Sequence, residues 1–154
     1  MKKLEKLVSK LQSKIPDHEV MAPNISKASV GWHIEHSLLT LNSIIDSLGK
    51  SNPYDYKRTF DIRRSVVMLV GKFPRGRVKA PRAAQPGTNF NFDTLHQHVA
   101  LLREKLKTLE HLSSRHYFTH PFLGNFKLKS AIRFMGVHTN HHLQIINDIV
   151  KSRK

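Results

Sequence analysis

The chain contains no cysteine. That one absence removes disulfides, thiolate metal sites and a cysteine nucleophile, and it fits a reducing compartment. Long apolar runs are missing too. The longest, Val66-Val67-Met68-Leu69-Val70, falls far short of the roughly 20 residues that span a bilayer. The lysine-rich start from Met1 to Lys6 leads into no apolar segment of the signal type. A soluble cytoplasmic protein with no membrane partner is expected. Acids are scarce: 11 Asp and Glu stand against 26 Lys and Arg. A carboxylate di-iron bundle needs several glutamates and paired Glu-x-x-His motifs, and no Glu-x-x-His occurs here. His138 is followed by Thr139 rather than Glu, so the zincin motif is absent as well. There is no nucleophile elbow for a serine triad. Gly71-Lys72 lacks the rest of a phosphate-binding loop.

What is present is basic and helical. The 154 residues are 39% apolar and fit one domain, residues 1–154, with a core of ordinary size. The net charge of +15 attracts polyanions and acidic small molecules. One reading of that charge is a non-enzymatic, basic polyanion- or nucleic-acid-binding helical protein with structural histidines. No nucleic-acid reader motif accompanies it.

Apolar spacing predicts helices over about 1–15, 29–48, 55–70, 93–112 and 127–151. The first is basic and amphipathic, which suits a membrane surface or, as favoured here, the first helix of a bundle. Ser29 is a good N-cap for the second, and Gly49, Asn52 and Pro53 are expected to end it. Phe60, Val66, Val67, Leu69 and Val70 are the expected apolar surface of the third. The fold class is therefore all-α: four main helices in a bundle plus an additional N-terminal helix. Residues 71–91 form a long loop with Arg75, Arg77, Lys79 and Arg82 between prolines and glycines. A loop this long in a compact domain is usually functional or mobile. Those four cations are candidate binding residues for an acidic ligand beneath a basic flap; a crossover that happens to be basic is the alternative.

The last helix carries the chemistry. His138 and His142 are four apart and lie one above the other within the apolar side formed by Leu128, Ala131, Met135, Ile145 and Ile149. His141 falls roughly 90° away. Two imidazoles where the core pattern asks for apolar groups need hydrogen bonds or a metal to satisfy them. A third ligand from the second helix would complete a three-histidine site, and His33 and His36 both stand there beside Trp32. Helical phase favours His33, at the edge of the Ile34–Leu41–Ile45 stripe. His96, His98, His111 and His116 read as ordinary surface residues.

Ser29-Val30-Gly31-Trp32-His33-Ile34-Glu35-His36 resembles the second-helix motif of the DinB/YfiT-like metalloenzyme superfamily. His120-Pro121-Phe122-Leu123-Gly124, followed by His138-Thr139-Asn140-His141-His142, resembles a branch of unknown function with an HPxxG turn and a helical H-x-x-H-H. The resemblance implies a DinB-like four-helix bundle with a long crossover loop, often a homodimer. It implies a divalent metal (zinc, nickel or iron) on His36, His138 and His142, against the phase argument for His33. It also implies a metal-dependent hydrolase or a low-molecular-weight-thiol S-transferase, for which a small acidic or thiol-containing molecule is the expected partner. Two departures stand out. Lys127 occupies the cap of the last helix, so Asn125 is the expected cap, and Glu35 beside His36 points about 100° away from it. No acid is placed as a general base.

Overall fold

The computed structural model of the chain describes residues 1–71, 73, 84–87 and 89–153. It is predominantly helical. In chain order the elements are α1 (Lys2–Gln12), α2 (Val30–Lys50), α3 (Ile62–Val70), α4 (Phe92–Thr108), β1 (Tyr117–His120), β2 (Gly124–Lys127) and α5 (Leu128–Lys151), with single 3-10 turns at Ile15–Asp17, Pro53–Asp55 and Leu109–His111. Helix α2 packs against α4 and α5, and α1 packs against the same two. These four helices share one core, in which Val8, Leu11, Ile34, Leu38, Leu41, Leu102, Leu106, Met135 and Ile146 are fully or almost fully buried.

Local chemistry sets the helix ends. Ser29 caps α2 as expected, its Oγ accepting from the Trp32 N–H at 3.2 Å. The helix runs through Gly49 to Lys50, two residues past the expected end, and Ser51 closes it. The chain before α2 folds back over its start: the Val30 N–H donates to the Val20 carbonyl, and the Gly31 N–H donates to the His18 carbonyl at 2.8 Å. Gly31 fits because a Cβ there would sit 2.7 Å from the Phe90 ring and 2.9 Å from that carbonyl.

Three expectations change. First, α1 is not an accessory to the bundle. Leu4, Leu7, Val8 and Leu11 are buried in the shared core, while α3 has no buried residue. Most apolar residues of α3 face solvent: Ile62, Val66, Leu69 and Val70 are exposed, as is Phe60 before it, while Val67 and Met68 are half-buried. Second, α3 starts at Ile62 rather than near Asp55. Residues 56–60 stay non-helical because the hairpin holds them. The Thr59 hydroxyl accepts from the Asn125 N–H at 2.7 Å, and the Arg64 guanidinium donates to the Thr59 and Asn125 carbonyls. Third, the chain is not wholly α. The HPFLG stretch closes a two-stranded antiparallel hairpin with Phe118 opposite Phe126. Phe118 and Phe126 stack at 5.1 Å between ring centroids, and both pack on Phe134 of α5. Gly124 takes a positive φ of 73°, and a Cβ there would lie 2.3 Å from the Thr59 Oγ1. Its glycine is required by both conformation and contact.

Asn125 does not cap α5. Its side chain is spent within the hairpin, accepting from the Thr119 hydroxyl and donating to the Lys57 carbonyl, so Lys127 stands at the cap with no side-chain bond. Among the described residues no helix is long and apolar enough to cross a membrane.

Candidate metal centre

Helices α2 and α5 face each other along their length, and the histidines meet where they do. His36, His138 and His142 each bring one ring nitrogen to within 4.8 Å of the others. Ring centroids are 5.1 Å apart for His36–His138 and 4.6 Å for both His36–His142 and His138–His142. The Nε2 atoms of His36 and His138 are 3.3 Å apart. Two imidazoles on one tetrahedral ion, with metal–nitrogen bonds of about 2.0–2.1 Å, place their nitrogens about 3.3 Å apart. That pair already stands at the spacing of two vertices of a coordination tetrahedron.

Hydrogen bonds orient the rings. The Nδ1 of His36 lies 2.5 Å from the Ala84 carbonyl. A carbonyl only accepts, so Nδ1 carries the proton and donates. The neutral ring therefore directs a bare Nε2 at His138. Trp32, one turn earlier, stacks on His36 at 5.0 Å and 12° and fixes its plane. His33 does not join the three. Its Nδ1 lies 3.0 Å from the Nδ1 of His142, and its Nε2 lies 2.9 Å from the Ser26 hydroxyl. His142 is thus held from behind on Nδ1, which leaves Nε2 as the nitrogen His33 does not engage. Phe73 packs edge-on against His138 and His141.

Burial makes these rings neutral. It pushes the His36 pKa down, with the Ala84 carbonyl partly opposing. It pushes His138 well below the ordinary range, and proximity to His36, His141 and His120 adds to this. It does the same to His142, aided by His138, His36, His33 and His141. Neutral imidazole is the ligand form, so the donor set is ready at neutral pH. The Nδ1 of His138 is buried with no hydrogen-bond partner among the described residues. The His138–His36 contact can therefore satisfy only one of its two nitrogens. Three convergent neutral imidazoles could hold a metal ion.

Among the described residues no carboxylate joins the cluster. Glu35, buried next to His36 in sequence, turns to α4 and accepts from or pairs with His98 Nδ1 at 2.8 Å. His98 is thus a half-buried partner of Glu35 rather than a plain surface residue. His96 is also half-buried, with its Nδ1 3.4 Å from Gln12 Nε2, and so is His116; His111 is exposed as expected. His141 lies at the edge of the cluster, 5.1 Å from the His142 ring. Arg75, Arg77, Lys79 and Arg82 lie outside the described residues.

Sequence reasoning overlooked three contributors. Ala84 acts through its backbone, which leaves no residue-type signal. The Trp32–His36 stack was readable from its i, i+4 spacing. Ser26 behind His33 is a contact between loop and helix that spacing does not show. Compared with protein-family models, with curated proteins and with solved structures, the chain gives no match.

Proposed function

We propose that this is a divalent-metal protein of the DinB-like type, with His36, His138 and His142 as ligands, working as a metal-dependent hydrolase or a low-molecular-weight-thiol S-transferase. The observation that carries the reading is the pair of Nε2 atoms 3.3 Å apart, one of them stripped of its proton by the Ala84 carbonyl on the far side of its ring. His142 completes the set within 4.8 Å. A divalent cation bound there would keep open coordination positions and supply Lewis acidity toward a substrate oxygen or a thiolate. The chain's own residues do the rest. Ala84 sets the His36 tautomer, Trp32 sets its plane, and the Ser26–His33 pair steadies His142. Outer partners of this kind raise ligand basicity and hold geometry.

The DinB-like assignment itself is supported by the order and spacing of the motifs and by the four helices that share the core. A homodimer is part of that proposal. The decisive experiment is elemental analysis of untagged protein. About one divalent ion per chain is expected, lost in His138→Ala and in His142→Ala. Full retention of metal in both variants overturns the assignment.

A further inference from the structure

A cleft lies on another side of α5, away from the histidines. It measures about 500 Å³ and opens between α3, the hairpin and the first turns of α5. Its rim carries four cations, Arg64, Lys127, Lys129 and Arg133, and no carboxylate lines it among the described residues. Among the described residues none of the four is in an ion pair. Their visible partners are neutral. Arg64 donates to two carbonyls and lies 5.3 Å over the Phe126 ring, Arg133 donates to the Met68 carbonyl, and the Lys127 ammonium lies 4.6 Å over the Tyr56 ring. Carbonyl oxygens and ring faces hold such groups in place without cancelling their charge. Four like charges around one cavity repel each other, and a bound anion relieves that repulsion.

We propose that this cleft binds a small organic phosphate. The size falls in the range of small-molecule sites, about 300–1,000 Å³. The rim supplies the charge and the fork-shaped donors that a phosphate dianion takes. Tyr56, Met68 and Phe126 give the cleft an apolar wall for the organic part of the molecule. The first turn of α5, which has no side-chain cap, adds to the positive potential at the mouth. The site is separate from the histidines. Arg133 and His138 are five residues apart and project about 140° from each other around α5. Phe126 and Phe134 stand between them: Phe126 lines the cleft and packs on Phe134, which stacks on His138.

The test is calorimetric titration at low salt with inorganic phosphate, pyrophosphate and adenosine monophosphate. Saturable binding of the nucleotide is expected, tighter than that of inorganic phosphate because the apolar wall is used. Lys127→Glu with Lys129→Glu should weaken it about tenfold or more, the scale of one lost charge-assisted contact, with metal content unchanged. Lys10→Glu with Lys14→Glu, the same charge change far from the cleft, should leave affinity within about twofold, since distant exposed charges are screened. Both are surface changes, and unaltered melting temperatures certify the fold. Equal weakening by the two pairs assigns the effect to the general field and overturns the site. So does absence of nucleotide binding by the parent protein, or binding of single-stranded DNA alone.

Discussion

Metal removal gives the sharpest quantitative test of the histidine cluster. Three neutral imidazoles packed together are poorly satisfied by one another: His36 offers a bare Nε2, and the Nδ1 of His138 has no partner among the described residues. An ion that binds this arrangement binds the folded state far better than the unfolded chain, where His36 lies more than 100 residues from the other two ligands in sequence. With free zinc at a hundred times its dissociation constant, linkage stabilises the fold by about 2.7 kcal/mol. For a domain of this length each kcal/mol moves the melting temperature by about 2–4 °C. Reconstituted protein should therefore melt about 5–11 °C above chelator-stripped protein. The assay is differential scanning calorimetry of stripped and zinc-loaded samples, on the parent and on His138→Ala. Each protein is compared with itself, so the packing lost with the imidazole cancels. The variant should show almost no gain from zinc. Coincident melting curves for stripped and loaded parent protein, or an undiminished gain in His138→Ala, would refute the reasoning.

Other outcomes follow from the same contacts. His33→Ala should keep His36, His138 and His142 but weaken zinc binding about 10–100-fold, as loss of an outer-shell partner does; competition with a colorimetric chelator measures it, and unchanged affinity separates His33 from the site. Metal-free protein should lose stability in mild acid. Burial lowers the folded pKa of His138 and His142 below the unfolded value of 6.5, so below that pH the unfolded chain binds protons that the folded one does not. Stability is full above about pH 6.5 and falls as pH drops, approaching about 1.4 kcal/mol per pH unit for each of the two rings; urea titrations from pH 7 to 5 check both sign and slope. Gly124→Ala should cost about 2 kcal/mol or more, because a positive φ and the Thr59 hydroxyl both oppose a Cβ; chemical denaturation reads it, and a neutral effect would contradict the hairpin geometry.

Periodicity made the helices legible because each core-forming helix buries a regular stripe. The same signal failed for α3. Ile62, Val66 and Leu69 make an amphipathic pattern, and a pattern says which face is apolar without saying that anything covers it. The hairpin escaped because its two strands are four residues each, too short for alternation to stand out from a turn. The cleft cations Arg64 and Arg133 are 69 residues apart, and only the docking of α3 and the hairpin on α5 brings them to one rim.

The i, i+4 spacing of His138 and His142 put both rings on the core side of the last helix, and local helix geometry was enough for that. The motif likeness pointed to His36, while helical phase pointed to His33. Phase could not decide because the start of α2 is enclosed on nearly every side: His33, Ile34, Glu35, His36, Ser37 and Leu38 are all buried. When no face of a helix is left to solvent, every phase is an inside phase. What separated the two histidines was tertiary: the Ala84 carbonyl turns the bare nitrogen of His36 toward His138, and His142 meets His33 back to back.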